Sequence, residues 1–232
     1  MIVKDISFSN AQENVYYDRT LLELAEAGST GEVLRFWESQ NFFIVLGKTS
    51  KLEEDIKINE VRKDNLEIIR RASGGGTVLQ GPGCLNYSFI LSYEKNPLLK
   101  NIRKSYEVIL NKICDSLNKL GIEAKFEPIS DITLNGRKFS GNAQKRYRRY
   151  MLHHGTILYN FSIEKIEKYL KMPKDEPPYR KGRSHSDFLV NINAEPHHIK
   201  QVISSAFIGG SSGFRAATGV SSAGESPLLI KR

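Results

Sequence analysis

The sequence predicts a mixed α+β domain, and three observations carry that reading. Apolar runs of strand length alternate with glycine- and proline-containing breaks between Val33 and Leu91. From Ile102 to Leu120 the apolar residues Tyr106, Ile109, Leu110, Ile113 and Leu117 recur at the three-to-four spacing of one buried helix face. Further strand-like runs then surround Asn135-Gly136, the strongest short hairpin signal in the chain.

In chain order, Asp18 to Ala27 sets Leu21, Leu22, Leu24 and Ala25 among acids and predicts a short amphipathic helix ended by Gly28. Val33 to Trp37 and Phe42 to Gly47 are two apolar runs separated by a polar turn, which predicts a hairpin. Leu66 to Arg70 reads as a strand running into a glycine cluster, and Asn86 to Leu91 as a strand resuming after Gly81-Pro82-Gly83. The helix from Ile102 is expected to stop at Gly121. Ala124 to Phe126, Ile132 to Leu134, Arg137 to Ser140 and Thr156 to Tyr159 follow as strands, then Ser162 to Leu170 and Pro196 to Phe207 as helices. Residues 1–207 thus form one domain, whereas 208–232 are rich in Gly, Ser and Ala and can bury too little to offset ordering entropy, so a poorly ordered tail is expected there.

At 232 residues, 40% hydrophobic and 26% charged, the chain has the length for one substantial core and an ordinary globular composition. Its longest apolar stretches fall far short of the ~20 residues of a membrane span, and MIVKDISFSN has no signal-peptide apolar region, so a cytoplasmic protein without a membrane partner is expected. Two cysteines, Cys84 and Cys114, form neither a disulfide framework nor a zinc spacing. The net charge of +8 is compatible with nucleic acid, acidic proteins or small anions.

The segment Arg70-Arg71-Ala72-Ser73-Gly74-Gly75-Gly76-Thr77 sets two guanidinium groups beside three glycines, where backbone amides can approach an anion without side-chain obstruction. A flexible turn beside surface arginines is the plain alternative. The pattern is neither a Walker loop nor a dinucleotide-binding G-x-G-x-x-G. As a whole, RRASGGGTVLQGPGCLNYSF resembles the RRxSGGGxVxHDxGxxNxSF motif of the lipoate-protein ligase A family. In that family the loop lines the acyl pocket and holds lipoyl-adenylate. The resemblance therefore implies ligand contacts from Arg71, Ser73 and Gly76, with Gly74, Gly75 and Asn86 in the same binding segment. Gln80-Gly81 replaces the ligases' His-Asp pair, and the resulting Gly-Pro-Gly is closer to the related octanoyltransferases.

Asn135 to Gln144 reads as a hairpin turn, a basic strand and a second glycine turn, and resembles the family's G-R-K-x-S-G-[ST]-A-x motif. A lone strand lysine is usually a solvated charge. The resemblance instead implies that Lys138 is catalytic, lying beside the acyl carbonyl and phosphate and neutralising charge that develops there, with Gly141 and Ala143 lining the adenylate site. Asp131 stands at the family's upstream aspartate, as a magnesium ligand or an orienting carboxylate. His153-His154-Gly155-Thr156 resembles the family's H-H-G-T turn, with His154 positioning the adenylate or serving the fold. No metal is assigned to this pair, since no acid or thiol stands at ligand spacing beside it.

Related octanoyltransferases pass the acyl group through a cysteine just before a His-Gly; here that position is Met151, whose thioether cannot do this. Cys114 falls in the predicted helix as core filling, and Cys84 adjoins the glycine loop without a histidine nearby in sequence. Lys145-Arg146-Tyr147-Arg148-Arg149-Tyr150 mixes cations and aromatics as single-strand nucleic-acid binders do, but no nucleic-acid motif accompanies it. A solvated hairpin or a docking surface for an acidic lipoyl-type acceptor domain fits the run better. Arg183, in Tyr179 to Ser184, is a further candidate for the adenylate, with a solvated loop as the alternative.

Together the two motifs imply the class II aminoacyl-tRNA synthetase and biotin-protein-ligase-like α+β fold, with a central mixed β-sheet flanked by helices. The implied activity is ATP-dependent activation of lipoate, with Mg, and transfer to a lysine of a lipoyl-type acceptor domain. The accessory C-terminal domain of many lipoate ligases is expected to be absent, a role a separate small accessory subunit fills in some relatives. Transfer of octanoate or lipoate between carriers without ATP, and a non-catalytic acyl-binding adapter, remain as alternatives.

Overall fold

The computed structural model describes residues 1–208. The poorly ordered tail expected from residue 208 onward lies outside the described residues, except that Ile208 closes the last helix. Ten strands and seven helices follow in the order β1 (Ile2–Asp5), α1 (Ala11–Ala27), β2 (Val33–Trp37), β3 (Phe43–Leu46), α2 (Leu52–Asp55), α3 (Ile58–Lys63), β4 (Ile68–Arg70), β5 (Val78–Gln80), β6 (Cys84–Ser92), α4 (Ile102–Asn118), β7 (Ala124–Glu127), β8 (Asp131–Leu134), β9 (Arg137–Arg146), β10 (Tyr150–Leu158), α5 (Ile163–Tyr169), α6 (His185–Phe188) and α7 (Pro196–Ile208). A seven-stranded mixed sheet runs β1-β2-β6-β10-β9-β8-β7, and a smaller sheet runs β4-β3-β5. Among the described strands, β1 with β2 and β3 with β4 pair in parallel and the others antiparallel.

Helix α1 starts at Ala11, well before the expected Asp18, because the Asn10 side chain accepts from Glu13 N at 3.1 Å and caps it. Its buried face holds Ala11, Val15, Leu21, Leu22 and Ala25 but also the polar Asn14 and Asp18, which interrupt the apolar period in the sequence. The stop at Gly28 is as expected, with φ +86 in the left-handed region and its N–H on Ala25 O.

The expected hairpin of Val33–Trp37 with the next apolar run does not form. Strand β2 pairs with β1 and β6, whereas β3 belongs to the small sheet between β4 and β5. Every residue of both strands is buried, so neither shows the wet-face alternation that would have distinguished a hairpin from two core strands. Gly141 and His153 to Thr156, read as turns, lie instead inside the long strands β9 and β10. The true turn between them is the basic run around Tyr147 to Arg149.

The alternation of strand side chains then divides the molecule. Phe36, Tyr87, Phe89, Met151 and Ile157 pack with α4 and α7 residues such as Ile113, Leu117 and Ile203. Val33, Ile90 and Leu152 point the other way, onto Leu21, Leu22 and Ala25 of α1. Among the described residues no helix is long and apolar enough to cross a membrane.

Candidate functional site

A cavity of ≈ 850 Å³ lies between α1, the glycine loop, β9 and β10, with Val15, Trp37 and Val45 on its apolar side. Lys138, Gly141, Ala143 and His154 all line it, as do Asp131, Arg71, Gly75, Gly76 and Asn86.

Lys138 reaches the site through an irregularity. Opposite Ile132 and Thr133 of β8, strand β9 places Ser140 and Lys138, so Phe139 is an extra, bulged residue. In an unbroken strand, residues 138 and 141 would face opposite sides; the bulge brings them to the same side. The Lys138 ammonium then lies 2.7 Å from Asp131 Oδ1. A Cβ at position 141 would come within 3.0 Å of the lysine's Nζ, so glycine there leaves room for it. Tyr179 donates to the other oxygen, Asp131 Oδ2, at 2.7 Å. Burial, then the neighbouring Asp131 charge, raises the phenol's pKa and keeps it a donor.

Both oxygens of Asp131 are thus taken, one by an ammonium, and the described residues contain no group of three His, Cys, Asp or Glu side chains that could hold a metal. With both oxygens engaged this way the donor set does not fit a protein-held magnesium, and the carboxylate is paired with Lys138 instead.

The two arginines of the glycine segment both bind backbone carbonyls, Arg70 at the surface and Arg71 partly buried. Arg70 donates to Gly47 O at 2.7 Å and Ser50 O at 2.8 Å. Arg71 donates to Gly74 O at 2.7 Å, Gly76 O at 2.8 Å and Ser73 Oγ at 3.0 Å, so the loop wraps around its guanidinium. Burial pulls the Arg71 pKa down to about 10, which leaves it charged at neutral pH. Gly47 permits this close approach, since a Cβ there would lie 1.9 Å from Gly75 O. Gly74 and Ser73 are not on the cavity wall; Ser73 is buried behind it, with Oγ 2.6 Å from His154 Nε2. Asn86 exchanges two amide hydrogen bonds with Gln80, at 2.7 and 2.9 Å, so Gln80 occupies its polar groups.

Adjacent histidines meet opposite fates on β10. His154 faces the cavity, and His153 is fully buried among Tyr87, Phe89 and Tyr106. Arg183 folds back onto the carbonyls of Tyr179, Arg180 and Gly136 and does not line the cavity; its neighbour Arg180 does. The strap sequence carries no signal that tells these two apart. Asp18 was also missed, although a carboxylate among the buried positions of an amphipathic helix is a legible sign of a buried partner.

Both thiols are buried, Cys84 at the cavity wall and Cys114 in the core. Cys84 is 1% exposed and Cys114 4%. Burial raises the pKa of both, that of Cys114 to about 12. Met151, at the transferases' cysteine position, is in the core. The basic turn is tied to α1, Arg149 N donating to Glu26 and Tyr147 OH to Glu23 at 3.3 Å, while Arg148 and Arg149 stay exposed.

The seven-stranded mixed sheet flanked by helices, with a glycine loop and a paired lysine at its cavity, is the biotin-protein-ligase-like fold. Residues 10–207 match the lipoyl protein ligase A/B catalytic domain, and the chain belongs to that family. It is similar to a probable lipoate-protein ligase A of Mycoplasma pneumoniae, 31% identical over 82% of this chain and 53% of that one. It is also similar to the octanoyltransferase LipM of Carboxydothermus hydrogenoformans, 32% identical over 75% of this chain and 70% of that one. The chain spans about half the length of the lipoate-protein ligases it matches. Among solved structures, the bipartite lipoate protein ligase of Thermoplasma acidophilum superposes with a TM-score of 0.75 at 18% identity, over 89% of this chain and 81% of that one.

Proposed function

We propose that the chain activates lipoate, or a similar medium-chain acid, with Mg-ATP and transfers it to a lysine of a lipoyl-type acceptor domain. The observation that carries this reading is the Lys138–Asp131 pair in the cavity wall, in a chain whose two thiols are both buried. Magnesium enters with the ATP phosphates as substrate. The acyl carboxylate attacks the α-phosphate and pyrophosphate leaves; Lys138 stabilises the charge gathering on the phosphate oxygens. The acceptor amine then attacks the mixed-anhydride carbonyl, which the same ammonium polarises, and AMP leaves. Asp131 and Tyr179 fix the lysine beforehand, so little reorganisation falls within the reaction. The apolar side at Val15, Trp37 and Val45 suits the acyl chain. An acidic acceptor surface would meet the chain's excess of cations, which favours encounter.

Transfer between carriers without ATP is the second reading, supported by the likeness to LipM along most of that enzyme's length. Intact-mass analysis of an apo lipoyl domain with lipoate, with and without Mg-ATP, separates the two. The expected result is a lipoyl adduct that needs ATP, with Lys138→Ala lowering the rate by about a hundredfold or more, as loss of a charge-stabilising group does. Transfer from an octanoyl carrier without ATP would overturn the ligase reading. Acyl binding without turnover under either condition would mark an adapter.

A further inference from the structure

Side chains from four elements form one directed chain of polar contacts behind the glycine loop. Arg71 Nε–H donates to Ser73 Oγ at 3.0 Å, and Ser73 Oγ lies 2.6 Å from His154 Nε2. Across the ring, His154 Nδ1 lies 3.6 Å from Asp18 Oδ2. That oxygen also accepts the Ser88 hydroxyl at 2.6 Å, and Asp18 Oδ1 accepts Arg35 Nη1 at 2.8 Å. Arg35 is held in turn by Asn14, at 2.8 Å from its carbonyl and 2.9 Å from its side-chain oxygen.

Proton counting gives the chain a direction. Arg71 can only donate, so Ser73 Oγ accepts from it, and among the described residues the one acceptor within reach of the Ser73 proton is His154 Nε2. A neutral imidazole that accepts at Nε2 carries its proton at Nδ1, the nitrogen facing the Asp18 carboxylate. Ser73, Asp18, Ser88 and Arg35 are each 2% exposed or less, so little solvent reaches their polar atoms.

We propose that Asp18 is a positioning residue: it holds His154 in the Nδ1–H form, which leaves Nε2 to accept the Ser73 hydroxyl and so fixes the glycine loop against the sheet. The inference rests on the reading of that loop as the wall of the acyl-adenylate site. Three consecutive glycines lose more freedom on ordering than any other residues would, so a loop of this kind needs external pins to be preformed. Arg71 supplies one from within the loop, and the β10 histidine, set by α1, supplies the other. Burial alone would raise the Asp18 pKa, but His154, Arg35 and Ser88 outweigh it and hold the carboxyl below its ordinary value, so the charge that sets the histidine is present at neutral pH.

The test is nitrogen-15 NMR of the histidine rings in the full chain, with His154→Gln identifying the resonance. Wild type is expected to show His154 protonated at Nδ1 and bare at Nε2. In Asp18→Asn, Arg35 keeps the amide oxygen and the NH₂ faces Nδ1, which reverses the tautomer to Nε2–H. The Michaelis constant for the acyl acid in pyrophosphate release should then rise about tenfold, the worth of one well-made buried hydrogen bond, with kcat within about twofold. Ser73→Ala should raise it similarly, and the double variant no further. An Nε2–H wild type overturns the proposal, as does a reversed tautomer that leaves the Michaelis constant unchanged, or single effects that multiply. If Asp18→Asn does not fold, the wild-type tautomer and Ser73→Ala still decide. If wild type releases no pyrophosphate, the ligase reading fails instead, and the tautomer is compared with the calorimetric Kd of the acyl acid.

Discussion

His153 is a histidine spent on the core. Its Nδ1 lies 3.1 Å from Gln144 Nε2, its Nε2 has no partner, and it is wholly buried. Burial, then the neighbouring His154, pushes its pKa down to about 3 from an ordinary 6.5. The sign follows directly. Between those values the unfolded chain binds a proton that the native one does not, so stability is complete above pH 6.5 and falls with pH down to about 3. The slope is at most about 1.4 kcal/mol per pH unit. We expect the urea midpoint of the wild type to drop steadily from pH 7 to pH 4.5. In His153→Phe, which keeps an aromatic ring against Tyr87 and Phe89, the drop should be shallower at the same protein concentration. It should not vanish, because burial also depresses His185 and contributes with the same sign. An unchanged slope in the variant would mean that His153 protonates in the folded state. The same scale explains why HH in the sequence was half legible: the motif marked the pair, but only strand alternation says which histidine meets the cavity.

At the scale of elements, the site depends on how β9 and β10 are paired. Gly155 sits opposite Asn142, and a Cβ there would come within 2.0 Å of Asn142 Oδ1 and 2.6 Å of the Tyr87 hydroxyl, two groups that hydrogen-bond to each other. Asn142 also donates to Ser130 O at 2.9 Å, tying β9 to the turn that leads into Asp131 at the start of β8. Gly155→Ala should therefore cost about 1–3 kcal/mol by overpacking and lower activity further by shifting Asn142 and, through it, the Asp131–Lys138 pair. Thermal unfolding and pyrophosphate release on the same preparations check this. Full activity with a lowered melting temperature would show that the pair does not depend on Asn142. The glycine's need was not legible, since its neighbours are distant in sequence. Helix α4 was legible from its local period, ending at Asn118, two residues short of the expected last residue Leu120. The Asn135-Gly136 turn was legible too, both residues having positive φ. What failed was pairing between distant strands, as with β2 and β3, and the bulge at Phe139 that aims Lys138, since neither leaves a local pattern.

For the molecule as a whole, the chemistry turns on which nucleophile the fold exposes. A carrier-to-carrier transferase needs a side chain to hold the acyl group, and a thiol does this only as thiolate. Here Cys84 begins β6 and Cys114 lies on the inner face of α4; both are buried, and burial raises the pKa of both. The sequence already set Met151 at the transferases' position, and the structure adds that both remaining thiols are buried, Cys84 at the cavity wall and Cys114 in the core. Native protein treated with iodoacetamide at pH 7.5 should show no adduct by intact mass within the time that a free thiol reacts fully, and two adducts after denaturation. Lipoate transfer with Mg-ATP should proceed at the untreated rate after the native treatment. A single fast adduct that stops transfer would instead identify a working thiolate, and with it an acyl-enzyme route that makes ATP unnecessary. Retained activity in an unalkylated protein leaves the acyl group with only a mixed anhydride to travel on, and Lys138 as the cation beside it.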